Sequence, residues 1–191
     1  MSGTLVAQTI QGPSSGANAN KVLIPSGHTL DVSGGTLVPS AGAVVQTIYA
    51  TTLTGTDHYT TDTIVATALF ASITPKYADS KIFVMVDVDH QITSPAYDCH
   101  LYLGRDNGSG FINALTNSAF VGGINDKSAI WNYRYIGSGS NQVIHQSPFG
   151  LFDAGQTSAI TFKLFIGNVG GNPSKVGAHD AQRMILQEIK Q

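Results

Sequence analysis

A chain of 191 residues, 42% of them apolar, holds enough material for one packed domain of ordinary size and an extension. Charged residues make up 12%, about half the ~25% of a typical soluble domain. The net charge of −2 and the scattered Lys and Arg exclude the basic footprint that a phosphate backbone requires, so no nucleic-acid partner is expected.

Glycine is abundant at 21 residues, and Ser, Thr, Asn and Gln stand where a helix-rich protein would carry Glu, Lys and Arg. That composition suits strands and turns. The single cysteine, Cys99, excludes an intrachain disulfide and a Cys-based zinc site, and its place in an alternating pattern reads as a buried, inert thiol. Met1-Ser2-Gly3-Thr4 shows no Sec-type signal, and no run of 18 apolar residues predicts membrane insertion.

Residues 1–43 contain no aromatic residue and are dense in Gly, Ser, Ala and Pro. Leu30 with Val32, and Leu37 with Val38, are apolar pieces too short to close a core in one chain. Such a segment is either a flexible linker or an extended shaft in which three copies share an axis. Residues 44–191 then form the globular domain.

From Val44 the pattern has period two. Val44–Tyr49 is the first predicted strand and Thr63–Ile73 the second, ended by Thr74-Pro75. In Lys81–His90, Ile82, Val84, Val86 and Val88 face one way, and Phe83, Met85, Asp87 and Asp89 the other. Tyr97, Cys99, Leu101 and Leu103 alternate with Asp98, His100 and Tyr102, before the turn signal Asp106-Asn107-Gly108. Ala129, Trp131, Tyr133 and Tyr135 oppose Ile130, Asn132, Arg134 and Ile136. Ile160, Phe162, Leu164 and Ile166 alternate with Thr161, Lys163 and Phe165. Many short strands with Gly, Asn or Pro breaks predict a mainly β protein, an antiparallel jelly roll or β-sandwich. Over residues 180–190 the pattern by itself favours a short helix capped by Asp180 over a terminal strand. Lys81–His90 and Ala129–Ile136 are apolar on both faces, which a lone sandwich does not need, so a neighbouring subunit is expected.

Catalytic chemistry is scarce. Asp87, Asp89 and His90 lie near Asp98 and His100, but their spacing matches no closed metal site. No G-x-S-x-G, H-E-x-x-H or phosphate-binding loop is present, and no paired-carboxylate cleft of a glycan-cleaving enzyme is legible in the twelve acidic residues. No catalytic residue, metal or cofactor is therefore expected. Outward aromatics are the pool for stacking on sugars, with Trp131, Tyr133 and Tyr97 the candidates for surface contact and Tyr49, Tyr59 and Tyr135 behind them. Trp131, on an alternating face, reads more readily as core or subunit interface than as a surface contact.

Several words in the chain resemble virion structural proteins of marine tailed phages, the tail-fibre or fibre-like proteins of cyanophage and pelagiphage type. They are the run Ile24–Leu37 (IPSGHTLDVSGGTL), Ala43-Val44-Val45-Gln46, Ala71–Lys76 (ASITPK), Ser80–Val84 (SKIFV), Gln146-Ser147-Pro148 and Met184–Ile189 (MILQEI), in that order. The resemblance implies a homotrimer located in the virion, with a thin N-terminal anchor and a globular β C-terminal part. It also implies a terminal strand at the end of the chain. Its partners would be other virion proteins (capsid, portal or tail) and a host surface glycan or outer-membrane receptor. The alternative role is capsid decoration without a receptor.

Overall fold

The computed structural model describes residues 14–17, 22–24, 26–28, 39–58, 63–92, 98–117, 129–134, 142–168, 174–177 and 179–191. The chain divides into two compact units, Met1–Val38 and Pro39–Gln191. In the first, Val22, Leu23 and Ile24 are exposed. The rest concerns the second, in which the ladder already begins at Gly42 and Ala43, both bonded to the backbone of Lys190.

Its strands are β1 (Val44–Thr52), β2 (Thr56–His58), β3 (Thr63–Ile73), β4 (Lys81–Ile92), β5 (Asp98–Asp106), β6 (Ile112–Asn113), β7 (Trp131–Arg134), β8 (Gln142–Gln146), β9 (Phe149–Asp153), β10 (Ile160–Asn168), β11 (Ser174–Val176) and β12 (Gln182–Ile189). No helix occurs among the described residues. The end of the chain is strand β12, because Gln182, Met184, Leu186 and Glu188 alternate buried with the residues between them. A helix would instead have placed Ile185 and Ile189 with Met184 on one stripe.

Four pairs of strands behave as single interrupted lines. β8 and β9 follow each other along one side of β4, β12 and β11 along the other. β1 and β2 run beside β12 and β11, and β6 and β7 beside β5. One sheet is then β8/β9–β4–β11/β12–β1/β2, and the other β3–β10–β5–β6/β7, with every described ladder antiparallel. The first line pairs with the last, β3 with β10, β4 with β8/β9 and β5 with β6/β7. Such nested pairing of eight lines across two sheets is jelly-roll connectivity.

The core lies between the sheets. Ile82, Val84, Val86 and Val88 of β4 and Met184 and Leu186 of β12 meet Leu69, Ala71 and Ile73 of β3, Leu101 and Leu103 of β5, and Ile160, Phe162, Leu164 and Ile166 of β10. Phe152 packs across the gap on Phe162, ring centroids 5.6 Å apart. Its own ring lies over Gly150, where an added Cβ would stand 2.6 Å from it, so only glycine fits beneath.

Three local devices shape the sheets. On β3, Ala66 pairs with Phe165 and Phe70 with Lys163, so the strand bulges between them. The buried Thr67 hydroxyl fills the bulge, donating to Leu164 O at 2.9 Å and accepting from the Leu69 N–H at 3.2 Å. Between β11 and β12, Gly177 sits at φ +70° against the side chain of Gln182, whose amide donates to Thr54 O at 2.7 Å. At the opposite end, the buried Glu188 carboxylate accepts from the N–H groups of Lys76 (2.9 and 3.0 Å) and Tyr77 (3.0 Å) and from Gln46 Nε2 (2.7 Å). This ties the turn after β3 to the first and last strands.

Candidate functional site

Because Gly150 and Phe152 of β9 point into the core, Phe149, Leu151 and Asp153 must point outward. The same alternation sends Lys81, Phe83, Met85 and Asp87 of β4 outward, with Arg183, Ile185 and Gln187 of β12 and Thr47, Tyr49 and Thr51 of β1. The registers align them in rows across the sheet. One row is Tyr49–Ile185–Met85–Phe149, and the next is Thr47–Gln187–Phe83–Leu151.

These rows form an apolar surface on the outside of a sheet whose other side is already the core. Phe149 is 71% exposed, Tyr49 57% and Leu151 56%, while Phe83 and Met85 are half-buried between them. The rings of Phe83 and Phe149 lie 5.9 Å apart. At strand spacings of about 4.8 Å and alternate-residue spacings of about 6.8 Å, each outward residue occupies about 33 Å², so the six apolar residues cover roughly 200 Å² of the sheet face.

Charges border the patch, and they are paired. Arg183 Nη1 lies 2.9 Å from Asp87 Oδ2, Ser147 Oγ donates to Asp87 Oδ1 at 3.2 Å, and Lys81 pairs with Asp153. Both cations of this border are thus neutralised by neighbours, leaving nothing on it to draw in a phosphate or an anionic surface. The outside of the other sheet differs. There Phe70 is 55% exposed, but the Lys163 ammonium stands 5.7 Å from its ring, and Ser72 and Thr161 share a hydroxyl hydrogen bond of 2.7 Å beside it.

The acidic and histidine residues singled out in the sequence divide between the outer face and the core. Asp87 belongs to the border just described. Asp89 is buried rather than on a solvent face, because the backbone of the segment between β11 and β12 folds onto it. The His179 N–H donates to its Oδ2 at 2.8 Å, and the Gly177 N–H to its carbonyl at 3.0 Å. His90 is fully buried, and His100 is buried with its ring stacked on Tyr102 at 6.0 Å. Burial pushes the His90 pKa down to about 4; Asp89 partly opposes this and His100 reinforces it. Among the described residues no group of three His, Cys, Asp or Glu side chains is arranged to hold a metal ion.

Of the predicted receptor contacts, Trp131 pairs with Leu101 and Tyr133 with Cys99 in the β5–β7 ladder. Tyr97, Tyr59 and Tyr135 lie outside the described residues. The exposed aromatics that the described residues bring together are Tyr49 and Phe149. Phe149 and Leu151 were missed in the sequence because β9 is five residues with a glycine inside it, too short for alternation to register. The Gln146-Ser147-Pro148 break before Phe149 was the available signal.

No protein-family model and no curated protein matches the chain. Among solved structures, it is similar at a TM-score of 0.37 and 10% identity to a chain of infectious bursal disease virus, Gx strain, over 87% of its own length. It spans 44% of the length of that viral chain.

Proposed function

We propose that this protein is a structural component of a tailed-phage particle and works by binding rather than turnover. It is a homotrimeric tail or head fibre, attached by its N-terminal segment to capsid, portal or tail proteins. Its jelly roll contacts a glycan or protein of the host surface. The observation that carries this reading is the apolar outer face of the β1–β12–β4–β9 sheet, with Phe149 71% exposed on a sandwich whose core is complete without it. A jelly roll alone does not choose a role, since capsid, lectin and enzyme proteins share it.

Two further observations support the reading. The words Ala43–Gln46, Ala71–Lys76 and Met184–Ile189 that carry the resemblance to phage proteins meet in space at Glu188. The Asp87 and Asp89 carboxylates are held by different partners, Asp87 by Arg183 on the outer face and Asp89 by the His179 N–H.

The test is to label the protein on purified phage particles and to incubate it with host envelope polysaccharide. Signal at the tail or at projecting fibres, with polysaccharide bound and uncut, is the expected result. Signal spread over capsid facets without glycan binding makes it a decoration protein. Release of new reducing ends overturns the binding role.

A further inference from the structure

We infer that the outer face of the β1–β12–β4–β9 sheet is where copies of this chain meet. The three sheets turn toward a common axis parallel to their strands, and the β9 side of each copy lies against the β1 side of the next. This rests on the homotrimer reading above and adds the face and the contact.

The occupant follows from the shape and chemistry of the patch. It is the face of a sheet rather than a concave pocket, so a small ligand would find little to enclose it. Lys81 and Arg183 are each paired with a carboxylate on the same face, so an anionic membrane or polyanion finds no free cation on that border. A second copy meets these conditions, because the border carries equal numbers of both signs and opposes no like charges to itself.

The geometry of the ring follows from the registers. Rotation about an axis along the strands keeps each residue at its own level. Phe149, on the β9 side, and Tyr49, on the β1 side, share a level with Met85 and Ile185. Three copies therefore make one continuous apolar belt, in which Phe149 of each copy abuts Tyr49 of the next. The Asp87–Arg183 pairs form a polar belt beside it. The contact is heterologous and closes at three. At roughly 200 Å² the apolar belt falls short of the ~800 Å² per partner of a stable interface, so the contact takes in the polar belt as well.

Two variants of the full chain test this. Phe149→Asp with Leu151→Asp charges the belt at two exposed positions, so each chain should keep its wild-type circular dichroism while the particle mass by sedimentation falls threefold. In a Cys99→Ala background, Tyr49→Cys with Phe149→Cys should oxidise to a covalent trimer on a denaturing gel, and each single cysteine should not cross-link. That result decides the matter even if the charged variant loses its fold. A three-chain wild type whose charged variant is also three chains, or a covalent dimer from Phe149→Cys alone, overturns this interface and leaves the trimer standing. A wild type of one-chain mass overturns both.

Discussion

Glu188 is a carboxylate placed on the core side of a strand, a position where burial alone would keep it protonated. Burial does raise its pKa, but the N–H of Lys76, the Gln46 amide and the N–H of Tyr77 outweigh it, and the group stays below the usual carboxylate range. The folded state therefore favours the charged form. Its contribution to stability is complete above about pH 4.3 and is lost as pH falls through the lowered folded value. Replacing it with Gln leaves one acceptor oxygen and turns an NH2 donor toward the N–H donors of Lys76, Tyr77 and Gln46. Glu188→Gln should cost about 2–4 kcal/mol in denaturant unfolding at pH 7, and it should also lose the acid-limb slope of the wild type. His90 behaves oppositely, since burial favours its neutral form and lowers its pKa to about 4. Its stabilising contribution is complete above about pH 6.5 and declines as pH drops toward 4, by an amount on the order of 3 kcal/mol. Denaturant midpoints measured from pH 7 to 4 should fall for wild type and stay flatter for His90→Leu. An equal fall in both would place the titration elsewhere.

At the scale of elements, the long strands were readable and the short ones were not. Thr63–Ile73 was bounded correctly because Thr74-Pro75 ends it, and β4 was found because Ile82, Val84, Val86 and Val88 alternate in it without interruption, although it runs on to Ile92, two residues past the expected end at His90. β2 and β11 are three residues each and exist by pairing with each other beside the end of β4, information that no local pattern carries. The ambiguity of residues 180–190 came from Glu188. A charged residue at a core position breaks the apolar alternation that would have named the strand, and its partners Lys76 and Tyr77 are more than 100 residues away in sequence. The patch was half legible for the same reason. Phe83 and Met85 were seen facing outward on β4, whereas Phe149 and Leu151 lie on a strand that was not seen. Bulges were also invisible, although Thr67 marks one by a hydroxyl within an apolar run. Thr67→Val keeps the volume but orphans the Leu69 N–H and the Leu164 carbonyl in the core. It should destabilise by about 1–3 kcal/mol in chemical denaturation, and a loss under a few tenths would mean that the bulge reorganises.

At the scale of the whole molecule, the proposed ring covers the apolar outer face of the sandwich, and the low charge of the chain fits a surface used for lasting contact. Burying one exposed aromatic of the patch gains about 1.5–3 kcal/mol, so three copies sharing several of them gain enough to hold a ring together. The N-terminal segment has a separate task in this account. Deleting residues 1–20 should leave a folded protein of unchanged assembly state that no longer attaches to particles, assayed by co-sedimentation with phage. Unfolding of the truncated chain would assign that segment to the core instead. The central claim, that the protein exists as a closed ring of three, is tested most directly by sedimentation equilibrium of the wild-type chain at micromolar concentration. The account predicts a single species of three chains, or about 60 kDa from a 20.0 kDa chain. A stable, folded species of one chain would contradict it.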